Sequence, residues 1–304
     1  MKIIYNCYGG SHSSVTSAAI HLGLLQCDSI PCKEELWRLP LYDKQVKKDH
    51  GTLNFMGTDE LENAVYVVGR RSMGKPAQRA LNTLAQIYAI PQNDFMLVDP
   101  MPFVNWAMKI GGITSRRLGL VAIGRPVVTW GNRKAYPHLA GLVKRVKANL
   151  SPAVPLDYHN NGARAVIYCD YTGRHQAAVA ATLHLNRDFH AMQTPRVKVG
   201  EMFHWGDDAE GNQIYSQSVS YENELLPKLM REFAKLYEIS EAQLTLVDLV
   251  GMAKYAYGIG AVIEAMPGLG RRTENLFTHL NQRNLGQIRD IVELTKSTLA
   301  SPAG

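Results

Sequence analysis

The stretch from Ile3 to Leu22, IIYNCYGGSHSSVTSAAIHL, reads as an apolar strand, a turn carrying Gly9 and Gly10, and a helix entered through Ser11, Ser13 and Ser14. Glycine lets a backbone turn with positive φ and come close to a ligand. The unpaired N–H groups of a first helical turn, together with the helix dipole, attract negative charge. Two readings stand side by side: an anion site, or a plain strand-to-helix connection with a serine cap.

The stretch occurs twice. Val166 to Leu185 reads VIYCDYTGRHQAAVAATLHL. At a shift of 163 positions Ile4, Tyr5, Tyr8, Gly10, His12, Ala18, His21 and Leu22 meet Ile167, Tyr168, Tyr171, Gly173, His175, Ala181, His184 and Leu185. At a shift of 149, Leu97-Val98-Asp99 meets Leu246-Val247-Asp248, Ile110-Gly111 meets Ile259-Gly260, and Gly119-Leu120 meets Gly268-Leu269. The chain is therefore an internal duplication, with about 14 extra residues in the first copy between the two matching blocks. The expected domains are residues 1–150 and 164–304, joined by a linker over 151–163, which is rich in proline, glycine and asparagine.

Each copy alternates strand, helix, hairpin, helix, strand, helix, a strand-like piece and a final helix. This predicts two tandem three-layer α/β domains with mixed, mostly parallel sheets. In the first copy the pattern predicts a helix over Ser13 to Leu24, a short strand over Leu36 to Tyr42, and a hairpin of Thr52 to Gly57 with Ala64 to Gly69. It further predicts a helix from Pro76 to Tyr88, a strand from Phe95 to Val98, a helix opened by Pro100 and Pro102, extended pieces over Leu118 to Ile123 and Pro126 to Trp130, and a helix from Tyr136 to Leu150.

The chain of 304 residues has no apolar run long enough to span a membrane, and Met1-Lys2 leads straight into a strand rather than a signal peptide. The four cysteines, Cys7, Cys27, Cys32 and Cys169, form no CxxC pair, which suits reduced thiols in a cytoplasm. Residues 1–150 carry 19 Lys and Arg against 10 Asp and Glu, whereas residues 151–304 carry 14 against 17. A basic first half points to an anionic partner, a phosphorylated small molecule before nucleic acid, since no arginine-rich run or RNA-binding aromatic signature is present.

Ligands in open α/β sheets bind beyond the carboxyl ends of the strands. Three such loops lie in the first copy: Cys7 to Ser14, Gly69 to Lys75 and Asp99 to Pro102. The first, Cys7-Tyr8-Gly9-Gly10-Ser11-His12-Ser13-Ser14, resembles the phosphate loops of the cysteine-phosphorylated IIB components of sugar phosphotransferase systems and of low-molecular-weight tyrosine phosphatases. That resemblance implies a thiol nucleophile activated by loop N–H groups. Ser13 stands where the phosphatase arginine would be, which counts against phosphatase chemistry, and Asp170 replaces Cys7 in the second copy, so that loop cannot use a thiol nucleophile there. Cys7 is otherwise a small buried thiol at a strand end.

His12 recurs as His175 and is read as a hydrogen-bond donor or general acid beside a phosphate, or as a structural imidazole. His21 and His184 lie late in their helices and are read as packing or dipole residues. Gly69 to Lys75 has the form GxxxxGK, but Pro76 replaces the hydroxyl residue that would hold Mg²⁺. Arg70, Arg71 and Lys75 are phosphate-contact candidates or a basic surface. Asp99, matched by Asp248, is a ligand-binding carboxylate or a helix cap, the cap being preferred. Asp49 and His50 form a possible acid–base pair, and Arg116, Arg117, Arg125, Arg271 and Arg272 add basic candidates. No metal-binding constellation stands out, and the sequence names no cofactor.

The opening MKIIYNCYGGSHSSVTSAAIHLGLL, with VYVVGRR and VDP, resembles the bacterial family filed as domain of unknown function 3189; the second copy resembles a divergent member. The resemblance implies a small bacterial cytoplasmic domain and no assigned activity. The expected function is binding of a phosphorylated small molecule or nucleotide at the first loop, with phosphoryl transfer or hydrolysis as the reaction class. The second copy is expected to have lost the site and to act as an intramolecular pseudo-dimer partner. The alternative is a non-catalytic binding, regulatory or interaction scaffold.

Overall fold

The structure, a computed structural model, describes residues 1–116, 121–150, 152, 158, 160–189, 194, 196–220, 224–252 and 270–300. The chain divides into two compact units, Met1–Gly74 with Pro91–Tyr158, and Lys75–Ile90 with His159–Gly304. The division tracks the duplication except at one helix, which is part of the first copy in sequence and of the second unit in space.

In the first copy the elements are β1 (Lys2–Cys7), α1 (Ser13–His21), α2 (Lys33–Arg38), β2 (Asn54–Thr58), β3 (Ala64–Gly69), α3 (Gly74–Ile87), β4 (Phe95–Val98), α4 (Trp106–Arg116) and α5 (Val121–Ala148). The sheet runs β2-β3-β1-β4, with β1 parallel to both neighbours and β2 antiparallel to β3. The second copy repeats this with β5 (Arg164–Asp170), α6 (Gln176–His184), β6 (Met202–Asp207), β7 (Asn212–Ser218), α7 (Leu225–Lys235), β8 (Leu244–Asp248) and α8 (Gly270–Ala300), in the order β6-β7-β5-β8. Registers survive the duplication: Ile3 faces Val65 as Val166 faces Ile214, and Lys2 faces Phe95 as Ala165 faces Leu244. The hairpin bulge at Phe55/Gly57 recurs at His204/Gly206.

β1 is central, parallel and buried along Ile3 to Cys7, as a strand covered on both faces must be. Ile3, Tyr5, Val65 and Val67 share one core with Val15, Ala18 and Ala19 of α1 and with Tyr136, Leu139 and Val143 of α5. The second copy builds the matching core from Val166, Tyr168, Val179, Ile288 and Val292. Helix α3 is tied within the second unit: Arg79 donates through Nε and Nη2 to the Val199 carbonyl at 2.9 and 2.6 Å, and Tyr88 Oη donates to the Gln243 carbonyl at 2.8 Å.

Three expectations need correction. Leu36 to Tyr42 is not a strand: α2 occupies Lys33–Arg38, capped by Glu35, whose Oε2 accepts the Cys32 N–H at 2.6 Å. The first helix ends at His21, not Leu24. Val121 to Ile123 and Pro126 to Trp130, expected to be extended, lie inside α5, which begins well before Tyr136. Pro126 and Pro137 each remove one helical hydrogen bond, but buried Val128, Asn132, Ala135, Tyr136 and Leu139 keep helical spacing and hold the helix together. Leu118, Gly119 and Leu120, Arg117, and most of the expected linker lie outside the described residues, as do the side chains of Arg116, Arg271 and Arg272.

A buried Tyr–His–Asp relay locks each copy. Tyr5 Oη lies 2.9 Å from His21 Nδ1, and His21 Nε2 lies 3.0 Å from Asp59 Oδ2. Asp59 Oδ1 in turn accepts the N–H groups of Leu61 and Asn63 and so shapes the hairpin turn. The second copy repeats the relay with Tyr168, His184 and Asp208, at 2.7 and 3.1 Å. A neutral imidazole with its proton on Nε2 satisfies every bond, the tyrosine donating to Nδ1. His21 and His184 therefore do more than pack: each joins the first strand, the first helix and the hairpin of its copy.

Burial holds both imidazoles below the usual histidine range and pushes both tyrosine hydroxyls up. Burial alone would raise Asp59 and Asp208, but hydrogen bonds from the histidine, the turn N–H groups and the asparagine amide bring both carboxyls down. Histidines that resist protonation when folded destabilise the fold as pH falls below about 6.5, and the depressed carboxyls add stability that is lost further down, below about 4. The thermal midpoint should thus be level between pH 8 and 7 and fall progressively from pH 6.5 to 4. The double variant His21→Gln, His184→Gln should be less stable at pH 7.5 and show a shallower decline between pH 6.5 and 5. An unchanged slope would contradict the relay.

Candidate functional site

The loop after β1 is held by a close backbone approach. Gly10 has φ +67°, and a Cβ on it would stand 2.5 Å from the Gly69 nitrogen at the end of β3. A Cβ on Gly69 would in turn meet the Gly9 carbonyl group at 2.8 Å. The next two residues clip the loops together, the Arg70 N–H donating to the Cys7 carbonyl at 2.9 Å and the Arg71 N–H to the Tyr8 carbonyl at 2.8 Å. The second copy has the same clip: Gly173 abuts the Ser218 nitrogen, and Val219 and Ser220 donate to the carbonyls of Asp170 and Tyr171.

Within this frame the Cys7 thiol is buried, 3.1 Å from the Gly10 nitrogen, which donates to it, and 3.1 Å from Ser14 Oγ. Ser11, Ser13 and Ser14 are buried around it, whereas Tyr8 is exposed, its N–H donating to Met101 Sδ at 3.3 Å. His12 Nε2 lies 3.1 Å from Asp43 Oδ1, and its ring stands edge-on to Tyr42. Asp43 is buried, its N–H donates to the Ser11 carbonyl, and its other oxygen faces Arg125 Nε at 3.5 Å. Arg125 also lies over the Trp37 ring at 4.8 Å.

Arg70 is buried and already engaged. Nε donates to Asn6 Oδ1 at 2.6 Å, Nη2 to Asp99 Oδ2 at 2.8 Å and Nη1 to the Arg71 carbonyl at 3.0 Å. Asn6 donates onward to the Val98 carbonyl at 2.8 Å, and Asp99 Oδ1 accepts the Met101 N–H two residues on, at 2.9 Å, ahead of a short 3-10 turn over Met101–Phe103 that has no side-chain cap. This clasp fixes the carboxyl ends of β1, β3 and β4 relative to one another. Gly74 of the GxxxxGK stretch makes room for it, since a Cβ there would sit 2.6 Å from Arg70 Cζ. Lys75 is exposed in the first turn of α3. Arg71 Nε donates to His50 Nδ1 at 2.9 Å, while Asp49 accepts the Val46 N–H at 2.8 Å.

The structure thus gathers Cys7, Gly9, Gly10, Ser11, His12, Ser13, Ser14 and Arg71 on one loop pair, with Arg70 and Asp99 behind as supports. Sequence reasoning passed over Asn6, Asp43 and Gln45. Asn6 differs from its counterpart Cys169, and Asp43 and Gln45 lie in the stretch where the two copies differ in length; those differences were the available signal. Among the described residues no group of three or more His, Cys, Asp or Glu is arranged to hold a metal ion.

The second copy fills the same loop differently. Asp170, at the position of Cys7, turns its carboxylate into the loop. Oδ1 accepts the N–H groups of Thr172, at 2.8 Å, and of Gly173; Oδ2 accepts the N–H of Ala177, the counterpart of Ser14, at 2.9 Å. Val219 stands in place of Arg70, so the clasp is gone, and burial with the nearby Asp248 and Asp170 charges pushes the Cys169 thiol up. Hydrogen bonds to a charged acceptor contribute about 1.5–3 kcal/mol and stranded donors cost about 1–3. Asp170→Ala should therefore destabilise the chain by roughly 3 kcal/mol in urea unfolding, and Cys7→Ala by about 1. Equal losses would mean that the two loops do not differ in how their donors are satisfied.

No helix among the described residues is long and apolar enough to cross a membrane. No curated protein and no solved structure matches the chain. A family model described as "Protein of unknown function (DUF3189)" matches residues 2–148 and again residues 165–297, the two copies found from the repeat. The chain belongs to that family and carries its domain twice in tandem.

Proposed function

We propose that the first copy binds a phosphorylated small molecule or nucleotide at the loop from Cys7 to Ser14, and that the second copy has given up that capacity. One observation carries the reading: the second-copy loop closes three backbone N–H groups around a carboxylate of its own chain, Asp170. The same backbone frame in the first copy holds the Cys7 thiol in place of that carboxylate, with only the Gly10 N–H donating to the sulfur, so no carboxylate of the chain's own fills the loop and an outside anion can take that place. The basic balance of residues 1–150 favours such a partner over a cation and draws it in. Nucleic acid is the weaker partner.

Tyr8, Gly9, Gly10, Ser11, Ser13 and Ser14 form the cradle in this reading, with Arg71 at its edge. Arg70 and Asp99 hold the loops in place, and Lys75 supplies charge. Where binding leads to reaction, the class is phosphoryl transfer or hydrolysis. The Cys7 thiol gives up its proton and its sulfur attacks phosphorus, the bond to the leaving oxygen breaks, and His12, oriented by Asp43, carries that proton to the oxygen; water then releases phosphate from sulfur and restores the thiol. All four cysteines are free, in keeping with a reducing bacterial cytoplasm.

A second reading, a non-catalytic binding or regulatory module, is favoured by the depth of Cys7, whose side chain is already bonded to Gly10 and Ser14. Cys7→Ser separates the two, since it stops a thiol-dependent reaction and leaves binding in place. The binding claim itself is tested by Cys7→Asp, which installs the second copy's filling in the first. A thermal-shift screen against phosphate, nucleotides, sugar phosphates and polyphosphate should give a stabilising hit, worth about 2.7 kcal/mol at 100 times Kd. Cys7→Asp should abolish that hit without lowering the midpoint of the unliganded protein. A hit that survives Cys7→Asp would move the site elsewhere.

A further inference from the structure

Gln45 lies in the divergent stretch of the first copy, where the two copies differ in length. It is 4% exposed, and neither its amide oxygen nor its amide nitrogen has a partner among the described residues. Its Oε1 lies 2.6 Å from the place a Cβ on Gly10 would take, so the amide sits directly on the loop. At the matching place over Gly173, the second copy puts Cγ2 of Val197, at 2.8 Å. Polarity is therefore exchanged between the copies. The second has a carboxylate inside the loop and a methyl group over it; the first has a thiol inside and an unpaired amide over it.

An amide buried without partners destabilises the fold that holds it, and Val197 shows that the loop frame accepts an aliphatic side chain there. The cost is offset only when something pairs with both ends of the amide. We propose that Gln45 is a binding residue of the first-copy anion site and that it selects a protonated phosphoryl group over sulfate. This rests on the loop being the anion site argued above. Nε2 donates to one oxygen of the anion, and Oε1 accepts a hydrogen bond from a P–OH on the same group. Inorganic phosphate near neutrality carries at least one proton in each of its forms, as does the monoanion of a phosphate monoester. Sulfate carries none and leaves Oε1 unpaired. A site built to pair with a hydroxyl rejects the analogue that lacks it, because its own polar atom is then stranded.

The test is calorimetric titration of the full chain with inorganic phosphate and with sulfate, for the wild type, Gln45→Met and Gln45→Val. The wild type should bind phosphate at least about tenfold more tightly than sulfate. Both variants should bind phosphate at least about tenfold more weakly and lose the preference, while their unliganded thermal midpoints stay level or rise, as expected when an unpaired buried amide is replaced by an apolar group. A wild type that binds phosphate but does not prefer it to sulfate overturns the role of Gln45 and leaves the anion site standing, as do variants that bind like the wild type. Midpoints lowered by several degrees in both variants would make Gln45 structural and overturn the proposal. A wild type that binds neither anion overturns the anion site and this proposal together.

Discussion

Two backbones meet at Gly10 and Gly69 with no room for a side chain on either, and the site depends on that approach. It brings the carboxyl end of β1 against the carboxyl end of β3, so that Arg70 and Arg71 close onto the carbonyls of Cys7 and Tyr8. It forces the left-handed turn at Gly10, whose N–H then points at the Cys7 sulfur. Behind it, the Arg70 guanidinium spans Asn6 and Asp99 and fixes three strand ends at once. In the second copy the same approach, at Gly173 and Ser218, is kept although the guanidinium is lost. The backbone contact is thus the invariant, and the side chains around it are what the two copies vary.

The variation has a consistent electrostatic sense. Loop N–H groups at a strand-to-helix turn require an acceptor, because an unpaired buried donor costs about as much as a lost hydrogen bond. Asp170 supplies that acceptor from inside the chain, with a full charge. Cys7 supplies a weak one, and around it the first copy places Asp43 against His12, His50 against Arg71, and Gln45 over Gly10. All three come from the divergent stretch before the hairpin, where the two copies differ in length. One loop is filled by a carboxylate of its own chain and the other by a thiol.

The sequence carried the fold well where periodicity and repetition agreed. The strand, glycine turn and helix at Ile3 to Leu22 and both hairpins were legible because each appears twice with its register intact. Helix α5 was not, because Pro126, Gly124 and Gly131 look like helix breakers. In space the glycines are contact points: a Cβ on Gly131 would stand 2.8 Å from the Met108 nitrogen, and one on Gly111 would stand 2.5 Å from the Val128 nitrogen, so α4 and α5 pack backbone to backbone. Tertiary packing overrides local propensity there. The loop residues were legible as a group, but the division of labour among them was not. Arg70 reads in sequence as a free cation, and only the fold shows its nitrogens turned to Asn6, Arg71 and Asp99. Gln45 left no trace beyond its place in the divergent stretch, where the two copies differ in length and the repeat gives no identities to compare. The Tyr–His–Asp relay was recoverable, because Tyr5, His21 and Asp59 all realign with Tyr168, His184 and Asp208 once both shifts are applied.

The central claim is that an outside anion occupies the first-copy loop and not the second. A crystal structure of the protein soaked with phosphate tests it most directly. The account predicts a tetrahedral anion beside the Cys7 sulfur, within hydrogen-bond distance of the Ser14 N–H and of Gln45, and none at the loop that holds Asp170. Phosphate found instead at the Asp170 loop, or in the cleft lined by Lys228, Arg231 and Asp248 with the first loop empty, would contradict it.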